Sequence, residues 1–406
     1  MTTAEQATYF PPERDPRCPF DPPPELLRLQ EECPVSRVAI WDGTPAWLLT
    51  RYDDVRQVLN DERFSANPNH AGFPEKSAAY KATLAKDENL RTLDNPEHDR
   101  QKRMIIRDLT VRRVDAMRPS MQAKVDSIID AMLEKGEADL VSDLAFPMPM
   151  MVICELLGVE YDDREWFASR SSTMLSLTTE PEVAAAAGEE LNEFLQVLID
   201  RKTATPGDDL TTRLAVEQVA TGALTLDQAI STLRFLLVAG HETTANMIAL
   251  STLALLQNPE QKQVMIEDPD PSTVANAVEE LLRYLSVSHS GRRRVALSDV
   301  EVAGQVIHAG QGVIAANSVA DRDERVFEDA ATLDLARANA RSHLAFGYGM
   351  HQCVGQLLAR VELQIVLRTL FARVPTLRLA VPFEQIEFSS DGPVYSLRGL
   401  PVTWDA

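Results

Sequence analysis

The chain has 406 residues, 61 of them acidic and 40 basic, and a net charge of -21 with histidine neutral. That balance argues against nucleic acid as the main partner, because phosphate binding needs a cationic surface. No apolar run reaches the roughly 18 residues of a spanning helix, and no basic-then-apolar leader opens the chain. Together these predict a cytoplasmic globular protein without a membrane segment. The four cysteines, Cys18, Cys33, Cys154 and Cys353, form no CxxC pair and no compact framework, so each reads as a free thiol.

Taken in chain order, residues 1–24 form a Pro-rich arm, and residues 25–406 are expected to make one large domain. Two apolar-rich runs, Val35–Trp41 and Ala46–Thr50, flank Asp42-Gly43, which signals a tight β-hairpin. A short helix, Asp53–Asn60, follows, and then a polar loop, Ala66–Asn89. Helical patterns dominate to about residue 290, including Val114–Leu133 and Met150–Leu157. The strongest helix starts at Thr225, where Thr225 and Gln228 make a capping box, and stops at Asn258-Pro259. About 32 residues at 1.5 Å each span roughly 48 Å. It is apolar on most faces, so it should run through the middle of the protein. A further helix, Ser272–Leu285, carries Glu280 and Arg283 three apart, the spacing of an i,i+3 ion pair. Alternating runs around Val300, Val302, Val306 and Val313 suggest short strands.

Two segments break local rules. In the long helix, Ala239-Gly240-His241-Glu242-Thr243-Thr244 places a glycine, an acid and two threonines mid-helix. Glycine there costs about 1 kcal/mol relative to alanine, threonine hydroxyls bond back to i−4 carbonyls, and a charged Glu needs a partner or water. A polar helix–helix contact would account for the cluster; so would a functional site. The second segment is Phe346-Gly347-Tyr348-Gly349-Met350-His351-Gln352-Cys353-Val354-Gly355, ahead of a helix from Gln356 to about Phe371. Its glycines can take positive φ, and Cys353 falls just before a helix N-terminus, where dipole and free N–H groups stabilise a thiolate. Read alone, Cys353 could be an inert buried thiol, a zinc ligand lacking two partners at suitable spacing, or a nucleophile.

The ten-residue segment resembles the haem-binding loop of the cytochrome P-450 family, Phe-Gly-x-Gly-x-His-x-Cys-x-Gly, and the likeness spans nearly the whole chain. The resemblance implies a mainly α fold with small β-sheets, a single triangular-prism domain with haem b between the long helix and the cysteine-loop helix. It implies that Cys353 is the axial iron ligand, with Phe346, Ala239 and Gly240 against the cofactor. Thiolate ligation favours O–O cleavage in this class. Glu242 and Thr243 match the family's acid–alcohol pair, which relays protons toward dioxygen where the helix opens over the haem. Glu280, Arg283 and Arg337 match a structural Glu-x-x-Arg and arginine triad. His98, Lys102, Arg294 and His351 match positions that hold the haem carboxylates. Lys102 stands where the family has arginine and can neutralise a carboxylate without bidentate geometry. Arg294 is chosen over Arg293 because Arg-Val-Ala fits the family pattern.

The implied reaction is hydroxylation of a medium-sized hydrophobic molecule, a secondary metabolite, steroid or drug-like compound. The chain has no length for a fused flavin or iron–sulfur domain, so electrons would come from ferredoxin and ferredoxin reductase, to a protein acting as a monomer. Residues 91–118 hold eight basic residues (Arg91, Arg100, Lys102, Arg103, Arg107, Arg112, Arg113, Arg118) against five acidic ones, a local reversal of sign suited to an acidic ferredoxin. Rival readings are a peroxygenase or nitric oxide reductase on the same fold, which lack the intact acid–alcohol pair, and a non-catalytic haem carrier or gas sensor. The substrate pocket is expected at Ala66–Leu90, Met174–Thr179, Val287–Ser290 and Val394.

Overall fold

The computed structural model describes residues 8–78, 80–81, 88–159, 164–175, 179–267, 270–285, 287–392 and 394–405. Parts of the expected arm (1–7) and of the expected pocket segments (79, 82–87 and 176–178) lie outside the described residues.

The central helix is Leu226–Gln257, 32 residues long. Its start is capped as the sequence predicts: Gln228 N–H donates to Thr225 Oγ1 and Gln228 Oε1 accepts from Thr225 N–H, both at 3.1 Å. This capping box satisfies two orphan backbone donors reciprocally. Most of the helix is buried along its length. It packs against the helix Pro147–Leu157, the helix Pro181–Ala204 and the helix that follows the cysteine loop, Gln356–Arg373. Burial on all sides explains its nearly uniform apolar composition. Among the described residues, no helix is long and apolar enough to cross a membrane.

One five-stranded sheet flanks this helical body, in the order Val35–Ala39, Pro45–Leu49, Gly312–Ala315, Arg292–Ala296, Phe64–Ser65. The first two strands form the predicted hairpin, with Val35 opposite Leu49 and Ala39 opposite Pro45. Gly43 turns it at φ 82°, and Asp42 Oδ1 accepts from Thr44 N–H at 3.0 Å. The pairing of Arg294 with Val313 fixes which arginines of the Arg292–Ala296 strand share a face. The strand alternates, so Arg292 and Arg294 point one way and Arg293 the other. Val300–Val302 and Gln305–Ile307 form a separate small hairpin.

The arm is more ordered than a Pro-rich tract suggests. Phe10 is buried, its N–H donates to Ala39 O at 2.8 Å, and Asp21 pairs with the buried Arg322 at 3.0 Å.

Glu280 and Arg283, on the helix Pro271–Leu285, are fully buried, unlike an ordinary surface pair. Arg283 donates to both Glu280 oxygens at 2.7 and 2.8 Å. Arg337 Nε reaches the same carboxylate at 3.1 Å. The remaining guanidinium donors go to backbone carbonyls: Asp321, Ala330 and Thr332 for Arg283, Glu328, Asp329 and Thr332 for Arg337. Removing the shared anion leaves two buried cations facing each other. Glu280→Gln is therefore expected to lower stability by about 3–5 kcal/mol, read as a lower urea midpoint. A loss under about 1 kcal/mol would show that the carbonyls alone hold the arginines.

Candidate active site

A cavity of about 350 Å³ lies where the central helix meets the cysteine loop. Its wall includes Ala239, Gly240, Glu242, Thr243 and Thr244 from the helix, Phe346, Gly347, His351 and Cys353 from the loop, and His98, Arg292 and Arg294. Of the residues singled out in the sequence for cofactor and chemistry, the structure thus gathers all but Lys102 around one space.

The loop is held by its own backbone. Gly347 and Gly349 take φ of 73° and 70°, a region only glycine enters without strain. A Cβ on Gly349 would come 2.5 Å from Leu59 O, so no other residue fits there. Cys353 N–H donates to Phe346 O at 2.9 Å, closing the loop. Burial pushes the Cys353 thiol up, opposed by the N–H groups of Gly355 and Gln356 and by the charges of Arg292 and Arg360. The dipolar support expected at this helix start is present, but burial outweighs it. A coordinated metal cation would supply the missing stabilisation, since a ligating thiol is deprotonated outright.

Outside the cavity, the loop is tied to the Pro271–Leu285 helix by groups that sequence reasoning missed. Glu279 accepts from Arg360 Nε at 2.7 Å and His343 Nε2 at 3.0 Å. Despite burial, which raises it, these two partners bring the Glu279 carboxyl down to about 2. The Arg360 guanidinium also lies 4.5 Å from the Phe346 ring centroid.

In the central helix, Thr243 Oγ1 donates to Ala239 O at 2.8 Å, the i−4 back-bond its position predicts. The helix is continuous through this turn, so the opening implied by the family resemblance is absent. Gly240 has a packing reason: a Cβ there would sit 2.8 Å from Ile153 Cδ1. Glu242 Oε2 is out of solvent and has no hydrogen-bond partner, and burial lifts its carboxyl to about 7. A second acid, Glu362, lines the same cavity. It is 2 % exposed with Oε2 also unpartnered, and burial raises it well above the usual carboxylate range. Its signal was in the sequence: Leu358, Val361, Glu362 and Ile365 share one helical stripe, in which Glu362 is the sole charge.

At the cavity edge, the His98 and His351 rings lie 4.5 Å apart. His351 Nδ1 donates to Leu90 O at 3.1 Å, while its Nε2 is buried and unpartnered. Burial, with Arg294 and His98 nearby, holds its pKa at about 2. Arg294 is on the cavity side and Arg293 turns away to donate to Pro74 O and Glu75 O. Arg292 also faces the cavity, a neighbour that strand alternation could have indicated. Lys102 does not line the cavity; its ammonium donates to Met350 O at 2.8 Å, bracing the loop. Haem would bring two carboxylates and an iron that takes a thiolate ligand. A carboxylate beside His351 would favour its protonated ring, so that the orphaned Nε2 could donate; with His98, the Arg294 guanidinium and the Cys353 thiol on the same cavity, these residues fit the group.

The expected pocket segments contribute Lys76, Tyr80, Asn89 and Leu90, then Met174, then Val287 and Ser288, and Val394. The expected cationic patch is smaller than the sequence suggests. Arg91 lines the cavity and Lys102 faces the loop. Arg100, Arg107, Arg113 and Arg118 pair with Glu97, Glu217, Asp208 and Asp115. Of these eight basic residues, only Arg103 and Arg112 stay exposed without an ion pair among the described residues.

Comparison with known proteins gives a concordant picture. The family model "Cytochrome P450" matches residues 175–374. Cytochrome P450-SU2 of Streptomyces griseolus is 47% identical over 410 residues, covering all of both chains. Vitamin D3 dihydroxylase of the same organism is 43% identical, covering 98% of this chain and 97% of its own. The crystal structure of mycinamicin VIII C21 methyl hydroxylase from Micromonospora griseorubida superposes with a TM-score of 0.91 at 37% identity, covering 98% of this chain and all of the other. With this fold, this cavity and these relatives, the chain belongs to the cytochrome P450 family of haem b monooxygenases.

Proposed function

We propose that this monooxygenase hydroxylates a medium-sized hydrophobic compound, RH + O2 + 2e⁻ + 2H⁺ → ROH + H2O, as a cytoplasmic monomer supplied by ferredoxin and ferredoxin reductase. The observation that carries the reading is the half-buried Glu242, whose Oε2 is out of solvent without a hydrogen-bond partner, beside Thr243 in the wall of the cavity that holds Cys353. Two of the relatives are named as hydroxylases of bulky compounds, vitamin D3 and mycinamicin VIII, and the apolar cavity wall agrees with such substrates.

In this reading Cys353 would ligate the haem iron, and His98, Arg294 and His351 would hold the haem carboxylates. Lys102 acts on the loop through Met350 and not on a carboxylate. Haem, when bound, would activate O2, one atom of which enters the substrate while the other leaves as water. The protein's own part is to position substrate, limit water and deliver protons. Glu242 has the right ionisation for delivery: with its pKa near 7 it can both hold and release a proton at neutral pH. Thr243 Oγ1, bonded back to Ala239 O, keeps its lone pairs available to the cavity and can pass that proton on. The exposed Arg103 and Arg112 face an acidic ferredoxin.

Three sets of experiments test this. Reduced protein with carbon monoxide should give the far-red-shifted Soret band of thiolate-ligated haem, and Cys353→Ser should lose it. Product formation with NADPH, ferredoxin and ferredoxin reductase separates hydroxylation from a peroxide-only enzyme or a gas sensor, which would give none.

The second concerns Glu242. Its folded pKa of about 7 lies above its ordinary 4.5, so the folded chain holds a proton that the unfolded chain releases between those values. Stability contributed by Glu242 is therefore full below about 4.5 and declines as pH rises to about 7. Glu242→Gln should be more stable than wild type at pH 8, on the order of 1–3 kcal/mol, and the gap should close toward pH 4.5. A pH-independent gap in urea midpoints would mean that water reaches the carboxyl.

The third concerns reduction. Arg103→Glu with Arg112→Glu should slow electron transfer from ferredoxin roughly tenfold at low salt, fading as ionic strength rises. Arg113→Glu, already neutralised by Asp208, should do less. Equal rates in all variants at low salt would remove this face from the encounter.

A further inference from the structure

Beyond the residues assigned to the haem carboxylates, the cavity wall carries four more cationic side chains: Lys76, Arg91, Arg234 and Arg292. Two of them have duties in the fold. Arg234 donates to Asn192 Oδ1 at 2.8 Å, and Arg292 reaches Ala345 O at 3.4 Å beside the cysteine loop. Among the described residues, the side chains of Lys76 and Arg91 have no such partner. They flank the buried Tyr80, with the Lys76 ammonium 5.0 Å and the Arg91 guanidinium 5.3 Å from its ring centroid. Arg91 Nη2 is buried without a hydrogen bond, and among the described residues Lys76 forms no ion pair.

The carboxylates do not balance them. Within the wall the acids are Glu242 and Glu362, both of which burial keeps toward the neutral form. Next to Lys76, Glu75 is also raised by burial, against the pull of Arg91 and Arg293. Burial and the crowding of Arg293, Arg91 and Arg292 push the Lys76 ammonium well below its ordinary range. Uncompensated cations in a cavity are costly unless an anion arrives. Much of the rest of the wall is apolar, with Leu156, Met174, Phe235, Leu236, Val238 and Val287.

We infer that the substrate is a hydrophobic carboxylic acid whose carboxylate is held by Arg91 and Lys76 beside Tyr80. The inference rests on the monooxygenase reading and names the substrate class of that site. Arg91 offers a planar fork that matches a carboxylate in a bidentate way, and Lys76 adds a point charge. The apolar wall takes the hydrocarbon body. The acid thus orients the molecule, and a carbon remote from the carboxylate is presented for oxidation.

The same chemistry could serve a haem carboxylate instead, and the test separates the two sources. Three acid and methyl-ester pairs are titrated into the holoenzyme: dodecanoate, abietate and lithocholate with their methyl esters. Binding is read as the substrate-induced spin-state shift. At least one acid should bind about tenfold or more tightly than its ester, the factor that one charge-assisted contact of about 1.4 kcal/mol supplies. Lys76→Gln with Arg91→Gln should weaken that acid about tenfold, leave the ester within about twofold, and leave the haem-to-protein ratio unchanged. Arg91→Lys should restore part of the acid preference. Absence of acid preference in every pair overturns the inference. So does haem loss in the double variant, which assigns the cations to the cofactor. A missing carbon monoxide band in wild type would be a different failure, that of the haem-thiolate reading itself.

Discussion

The site depends on one buried anion. Glu280 sits between Arg283 and Arg337, and its oxygens occupy only part of their donors. The remaining guanidinium N–H groups take hold of carbonyls between residues 321 and 332. That fixes a stretch with little regular structure of its own. Asp321 in turn accepts from Leu344 N–H at 2.6 Å, and Asn317 donates to Leu344 O at 2.6 Å. Two residues later the cysteine loop begins. A buried ion pair by itself is weak evidence for stability. Here its use is geometric: it sets irregular backbone on which the loop holding Cys353 is mounted.

The central helix solves a different problem. A buried carboxylate without a partner is unfavourable, and a helix this apolar offers none. The outcome is a Glu242 that sits near neutrality in its protonation, which is the condition a proton donor needs. Glu362, on the adjoining helix, is also raised by burial, well above the usual carboxylate range. Of the two acids in this cavity, Glu242 is the one placed next to Thr243 in the chain.

What was legible in the sequence was mostly local. The Thr225–Gln228 box, the Asp42-Gly43 hairpin and the glycines at 347 and 349 are each determined within a few residues, so spacing alone locates them. Cys353 became a candidate ligand through its loop, and Glu242 stood out as a helix-rule violation. The third member of the triad, Arg337, is 57 residues from Glu280 and was reached only through family resemblance. Side-chain direction was the main thing hidden. Eight cations between residues 91 and 118 read as one surface patch, but Arg91 turns into the cavity, Lys102 onto Met350, and four pair with acids. Which way a charged side chain points is decided by tertiary packing, and one-dimensional spacing carries little of that. Strand alternation was the exception: Arg292 and Arg294 share a face because their spacing is two.

The handling of charge in the interior sharpens the contrast with Lys76 and Arg91. In a chain of net charge -21, several arginines are nonetheless buried, and most are satisfied by backbone carbonyls. Arg293 uses Pro74 O and Glu75 O; Arg322 uses Tyr284 O at 2.9 Å and Phe20 O at 3.2 Å; Arg283 and Arg337 add theirs to Glu280. Carbonyls thus take up guanidinium donors that no acid reaches. Among the described residues, the half-buried side chains of Arg91 and Lys76 donate to no carbonyl. The fold thus has a general way to satisfy interior cations and does not apply it at these two positions, which is the pattern of groups whose partner arrives from outside the chain.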